Sequence, residues 1–193
     1  MASVKQFVSD CQDLSVGTQR TITEDLSSLG YWNGDIHQLL PYPLTQYLES
    51  VLKAWVLDEP QNYIPHRWLG YITGDIEWYE KAMEINPKDD LSIYRVTLAL
   101  IGDVEFQTHH LSESSFIGET QDSVEALDKA IELNDNIESE KLNAYITSEV
   151  NYYQRLLDCW LEYSKVDRAE SFPTWCTGRG EEFNFWSIVY YDS

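Results

Sequence analysis

The chain has 193 residues, 33 acidic and 13 basic, for a formal charge of −20 at pH 7. That balance excludes a general affinity for nucleic acid, whose phosphates need a basic face. No run of about 18 uncharged apolar residues offers a membrane span, and 43% apolar residues, with 13 tyrosines and 7 tryptophans, exclude wholesale disorder.

Helical periodicity dominates from the start. Val4, Phe7, Val8 and Cys11 form a short amphipathic helix. Thr21-Ile22-Thr23-Glu24 reads as a capping box for a helix carrying Ile22, Leu26 and Leu29 and ending at Gly30. Leu44, Tyr47, Leu48, Val51, Leu52 and Trp55 make one continuous stripe, with Pro43 in the first turn and Asp58-Glu59-Pro60 as the stop. Ile64, Trp68, Leu69 and Ile72 give the next helix, weakened at Gly70 and Gly74. Ile76, Tyr79, Ala82, Met83 and Ile85 give another, stopped by Asn86-Pro87 because proline disfavours helix at the residue before it. Asp90 starts a helix with Leu91, Tyr94, Leu98 and Ile101 on one face. Residues 112–121 read as a loop, followed by a helix with Val124, Leu127 and Ile131. Ser139 begins a long helix through Leu142, Tyr145, Ile146, Tyr153, Leu157 and Trp160. Residues 175–180 then read as a turn between Phe172, Trp175, Phe183, Phe185, Trp186, Tyr190 and Tyr191. The run 185–191 is short enough to be a strand or a last helix, and an aromatic segment of this kind is expected to fold back onto the helices. The fold class is therefore all-α, and one domain is expected over 1–193: N-terminal helices over 1–58, a repeat region over 60–165 and an aromatic cap over 171–193.

Cys11, Cys159 and Cys176 are odd in number and lie far apart, which suits a reducing compartment better than a disulfide framework. A single Cys159–Cys176 bridge stays open. The opening Met-Ala-Ser-Val-Lys-Gln lacks a long apolar run, so a cytoplasmic protein is expected.

Two segments repeat. Tyr79-Glu-Lys-Ala-Met-Glu-Ile-Asn86 matches Leu127-Asp-Lys-Ala-Ile-Glu-Leu-Asn134 at an offset of 48, which Gly70 and Gly118 share. Self-similarity at a fixed period marks stacked helical hairpins. Tyr79-x-x-Ala82-x-x-x-x-Pro87 resembles the second helix and closing proline of the tetratricopeptide repeat family, with Gly70 where that family often turns. The chain departs from the family at Asp75 and Ser123, where alanine is preferred, at Pro60 and Pro65, and at Asp135 in place of proline. Its offset also exceeds the family's period of about 34. The resemblance spans roughly 60–135 and implies a short α-solenoid of stacked antiparallel hairpins, from a family of protein- and peptide-binding scaffolds.

The acid is concentrated over 103–140. Asp103, Glu105, Glu113, Glu119, Asp122, Glu125 and Asp128 are followed by Glu132, Asp135, Glu138 and Glu140, with Lys129 as the only lysine or arginine over 103–140. Repulsion at this density costs stability. The first seven are the candidate partner-binding residues, on a face suited to steering a basic protein into contact.

Catalytic and metal-binding patterns are absent. His37, His66, His109 and His110 show no helical chelate spacing. Glu105 and His109 stand at i, i+4, suited to one shared metal or simply a hydrogen bond. Neither a calcium loop nor a phosphate-cradling glycine loop occurs. Adjacent carboxylates such as Glu24-Asp25 and Glu181-Glu182 suit caps and turns better than acid–base work. No catalytic residue, metal or cofactor is expected, and the partner is expected to be a basic protein rather than nucleic acid or membrane. In physical character, a small, strongly acidic chain of this kind resembles the immunity proteins that neutralise basic bacterial toxins such as nucleases. The other reading is a tetratricopeptide-like adaptor holding a peptide in a concave groove. An enzyme of unrecognised type is a third.

Overall fold

The computed structural model describes residues 2–36, 39–166 and 170–185, and these are all-helical apart from turns and loops. The helices are α1 (Ala2–Gln12), α2 (Val16–Trp32), α3 (Tyr42–Asp58), α4 (Tyr63–Thr73), α5 (Ile76–Ile85), α6 (Asp90–Thr108), α7 (Thr120–Asn134), α8 (Glu140–Tyr163) and α9 (Phe172–Gly178), with a 3₁₀ turn at Leu111–Glu113. None of the described helices is long and apolar enough to cross a membrane. The chain divides into two compact units, Met1–Val96 and Thr97–Ser193.

In the first unit α1 packs on α3, α2 on α3 and α4, α3 on α4, and α4 on α5. The α3 stripe is buried as its spacing dictates: Leu44, Tyr47, Leu48, Leu52 and Trp55 all face inward. Cys11, Leu44, Tyr47 and Leu48 form one apolar cluster, and Leu52, Trp55, Trp68 and Leu69 form a second. Arg20 pairs with both Asp58 and Glu59, tying α2 to the end of α3. Glu59 Oε2 also accepts from Trp55 Nε1 at 3.0 Å and from Asn62 Nδ2 at 2.9 Å. The Asn62 and Trp55 hydrogen bonds hold the Glu59 carboxyl below its ordinary range.

Asp89 caps α6. It accepts from the Ser92 backbone N–H at 3.3 Å, and Arg67 Nη1 of α4 reaches its Oδ1 at 2.7 Å. Asp89 is buried and Arg67 half-buried, with side chains 5% and 14% exposed. The Arg67 guanidinium also lies 4.6 Å from the Trp68 ring centre.

In the second unit α7 packs on α8, and α9 packs on α8 and the 3₁₀ turn. The aromatic segment closes onto α8 as far as it is described: Phe172 meets Trp160 edge-on at 5.3 Å, Tyr163 meets Trp175 at 5.8 Å, and Phe183 meets Tyr152 at 5.9 Å. The Tyr163 hydroxyl donates to the Glu170 carbonyl at 2.8 Å.

Four local expectations are corrected. The second helix begins at Val16 under a Ser15 cap, not at Thr21, whose hydroxyl donates to the Gly17 carbonyl inside the helix. Gly30 lies within that helix, where a β-carbon would come within 2.5 Å of Leu40 Cδ1. The buried face of α6 is Ser92, Ile93, Val96, Thr97, Ile101, Val104 and Thr108, leaving Leu91, Tyr94 and Leu98 half-buried, because small hydroxyl residues take core positions. Finally, Trp175, Cys176 and Thr177 are helical in α9, capped by Ser171 with Pro173 in its first turn. Trp186, Tyr190, Tyr191 and the choice of strand or helix for the run leading to them lie outside the described residues, as does His37.

The repeated segments share buried positions: Tyr79 and Ala82 in α5, Leu127 and Ala130 in α7. The two glycines at the same offset differ. Gly70 is inside α4 against the Tyr79 ring, whereas Gly118 is a loop residue before α7 with φ +79.

Candidate functional site

Helix α7 turns Ser123, Leu127, Ala130 and Asn134 inward, a spacing of four, three and four that follows the helical repeat. The Ser123 hydroxyl binds Gln107 Oε1 of α6. Val124, Ala126, Ile131 and Leu133 flank that face half-buried, and on the opposite side Asp122, Glu125, Asp128 and Glu132, with Asp135 just past the helix end, are all exposed, with Lys129 among them. Asp122 sits in the first turn, where the helix dipole favours an anion.

All seven acidic candidates are exposed. Asp122, Glu125 and Asp128 share the outer face of α7, and Glu119 is the residue at its N-cap. Glu125 accepts from Gln121 Nε2 at 3.0 Å. The others stand on other elements. Asp103 and Glu105 are on α6, and Glu113 is on the 3₁₀ turn. Glu113 Oε1 lies 3.5 Å from His110 Nδ1, an ion-pair distance without hydrogen-bond geometry, and the pair is charged only when the imidazole is protonated. Glu105 lies towards Tyr153 and Tyr152 of α8: burial is the main cause that pushes the Tyr153 phenol up, and the Glu105 charge adds to it.

His109 Nδ1 is engaged with the Phe106 carbonyl, which leaves Nε2 as the ring nitrogen for the pairing with Glu105 that the sequence allowed. Among the described residues no three His, Cys, Asp or Glu side chains converge as a metal centre requires. The three cysteines are free thiols. Cys159 and Cys176 hydrogen-bond to one another; burial first, then the Cys159 charge, pushes the Cys176 thiol up to about 12.

Beside the acidic face runs a groove of about 430 Å³ that sequence reasoning missed. Val124, Leu127 and Asp128 of α7 form one wall, and Asn151, Gln154, Arg155, Leu157 and Asp158 of α8 form the other. Leu127 and Leu157 are each only 2% exposed and make an apolar floor. Asp128 and Asp158 are both exposed at its edges. Arg155 pairs with Glu181 from the C-terminal segment and lies 5.5 Å from the Phe183 ring centre. The polar stripe Asn151, Arg155, Asp158 and Glu162 is visible at i, i+4, i+7, i+11, and it was the signal available for this wall.

No protein-family model matches the chain, and no curated protein and no solved structure matches it.

Proposed function

We propose that this chain is a non-enzymatic, cytoplasmic binding protein: an acidic inhibitor, of the immunity-protein kind, that covers the basic surface of another protein such as a nuclease toxin. The observation that carries this reading is the outer face of α7, where four carboxylates, with Asp135 as a fifth at the C-cap, stand exposed around one lysine. A protein that must hold nucleic acid needs a basic surface. An acidic partner meets the same surface with fast, electrostatically steered association. Placing the carboxylates on a helix whose inner face is fully packed lets them be dense without being buried, so desolvation costs little until the partner arrives.

The test is retrieval of partners from the native cells with the tagged chain, followed by affinity measurement on the purified pair. A single basic protein bound one to one, weakening as salt rises and weakened again by Asp122→Lys and Glu125→Lys, is the expected outcome. Binding that ignores salt and these reversals refutes the inhibitor reading and favours peptide capture by a groove.

A further inference from the structure

We infer that the groove between α7 and α8 is a receptor for an arginine side chain of the partner protein, held between Asp128 and Asp158. The inference rests on the reading that the partner is basic, and it adds where and by which side chain that partner is gripped. The argument is one of complementarity. The groove has a floor of Leu127 and Leu157 and an apolar flank in Val124, which suits the aliphatic stem of a long side chain. Its rims carry one carboxylate from each helix. Neither Asp128 nor Asp158 has a cation within ion-pair distance among the described residues.

The cation of the groove itself, Arg155, is engaged by Glu181. The two rim carboxylates are therefore not neutralised from within, and the groove keeps an unanswered negative charge above an apolar floor. Asn151 and Gln154 add amide groups that can accept further N–H donors. An arginine answers this set better than a lysine. Its guanidinium is planar, weakly hydrated and able to address two carboxylates at once, whereas an ammonium keeps its water more tightly. The exposed acids elsewhere on α7 would then steer the partner, and the groove would fix its register.

The experiment is a backbone amide NMR titration of the whole chain. The probe is a short blocked peptide alternating leucine and arginine, and the control is its twin with citrulline in place of arginine. Shifts are expected to centre on 124–128 and 151–158 and to be absent with citrulline. The double change Asp128→Asn and Asp158→Asn should weaken binding about tenfold, while the equally charged loss Asp25→Asn with Glu80→Gln on exposed sites of α2 and α5 should change it less than about twofold at about 150 mM salt. Asp128 and Asp158 are exposed, so the variant should keep its far-ultraviolet circular dichroism, which is checked first. Equal losses in the two double variants, shifts spread over all acidic surface, or equal binding of the citrulline twin would overturn the inference. Failure here alongside a salt-sensitive basic partner leaves the inhibitor reading standing. Groove binding without any basic partner in the cell overturns that reading instead.

Discussion

Asn134 and Asn143 donate their side-chain amides to one another's backbone carbonyls. Asn143 Nδ2 reaches the Asn134 oxygen at 2.9 Å, and Asn134 Nδ2 reaches the Asn143 oxygen at 3.4 Å. Asn134 Nδ2 also meets Thr147 Oγ1 at 3.0 Å. This exchange joins the end of α7 to the start of α8, the two helices that wall the groove, and it gives the Asn134 carbonyl a second donor beside the Ile137 N–H at 3.0 Å.

Asn134→Ala should therefore destabilise the chain by about 1 kcal/mol, since Asn134 is buried and its amide donates both to the Asn143 carbonyl and to Thr147 Oγ1. Chemical denaturation measures the change directly. A loss indistinguishable from zero would mean that water replaces the exchange at no cost.

Gly70 and Gly102 should respond in opposite directions to alanine. A β-carbon at Gly70 would come within 2.5 Å of Tyr79 Cδ2, deep in the α4–α5 contact, so Gly70→Ala must push the ring or the helix aside. Gly102, inside α6, has nothing within 4 Å of its would-be β-carbon. Gly102→Ala should stabilise by about 0.5–1 kcal/mol through helix propensity. Thermal unfolding of the two variants beside the parent decides it.

Asp89→Ala should be among the most damaging single changes in the first unit. It leaves the half-buried Arg67 guanidinium with only Glu24, at 4.0 Å, as an ion partner among the described residues and removes the α6 cap together, a loss of about 3 kcal/mol. Changing both residues, Arg67→Met with Asp89→Ala, should recover part of that loss, because no lone charge then remains. If the double variant is as unstable as the sum of the singles, the pair is not coupled.

Alkali should unfold the chain through groups that the fold keeps protonated. Burial pushes the phenols of Tyr31 and Tyr79 from the ordinary 10 up to about 12, and the Cys176 thiol rises from 9.0 to about 12. The folded state thus holds protons that the unfolded state releases. The contribution to stability is complete below the unfolded values near 9 and 10, and it is lost as pH rises through them towards 12. Stability against urea should fall across that window, and the ultraviolet signature of phenolate from these rings should appear together with unfolding. Phenolate from every tyrosine at pH 10 in a fully folded chain would contradict it.

Most of the helices were legible because their apolar residues repeat at the helical period and their ends carry recognisable chemistry. Ser139 before α8, Pro43 in α3 and Asn86 after α5 are cases where a single residue announces the boundary. What misled was small polar residues in the core. Thr23, Ser27, Ser92, Thr97 and Ser123 are buried, so a pattern that counts hydroxyls as solvent-facing turns α6 to the wrong face, while α2 starts too late because Thr21 and Glu24 have capping-box spacing and Ser15 is the cap. These side chains are short enough for helices to approach closely over them. The acidic run was visible as composition, and its exposure on α7 follows from the inward spacing of Leu127, Ala130 and Asn134. The groove was not visible, because Asp128 and Asp158 come to line one groove only through the packing of two helices whose relative rotation no local pattern encodes.

The rings gathered where α9 rests on α8 make that contact its own optical reporter. Trp160 is stacked with Phe116 and edge-on to Phe172, and Arg179 lies 3.8 Å from the ring centre of Trp175. Indoles fixed in so asymmetric a setting give strong near-ultraviolet circular dichroism, and a guanidinium over the ring alters the emission of Trp175. Release of α9 from α8 would therefore be read in the spectrum of the unlabelled chain, before any helix is lost.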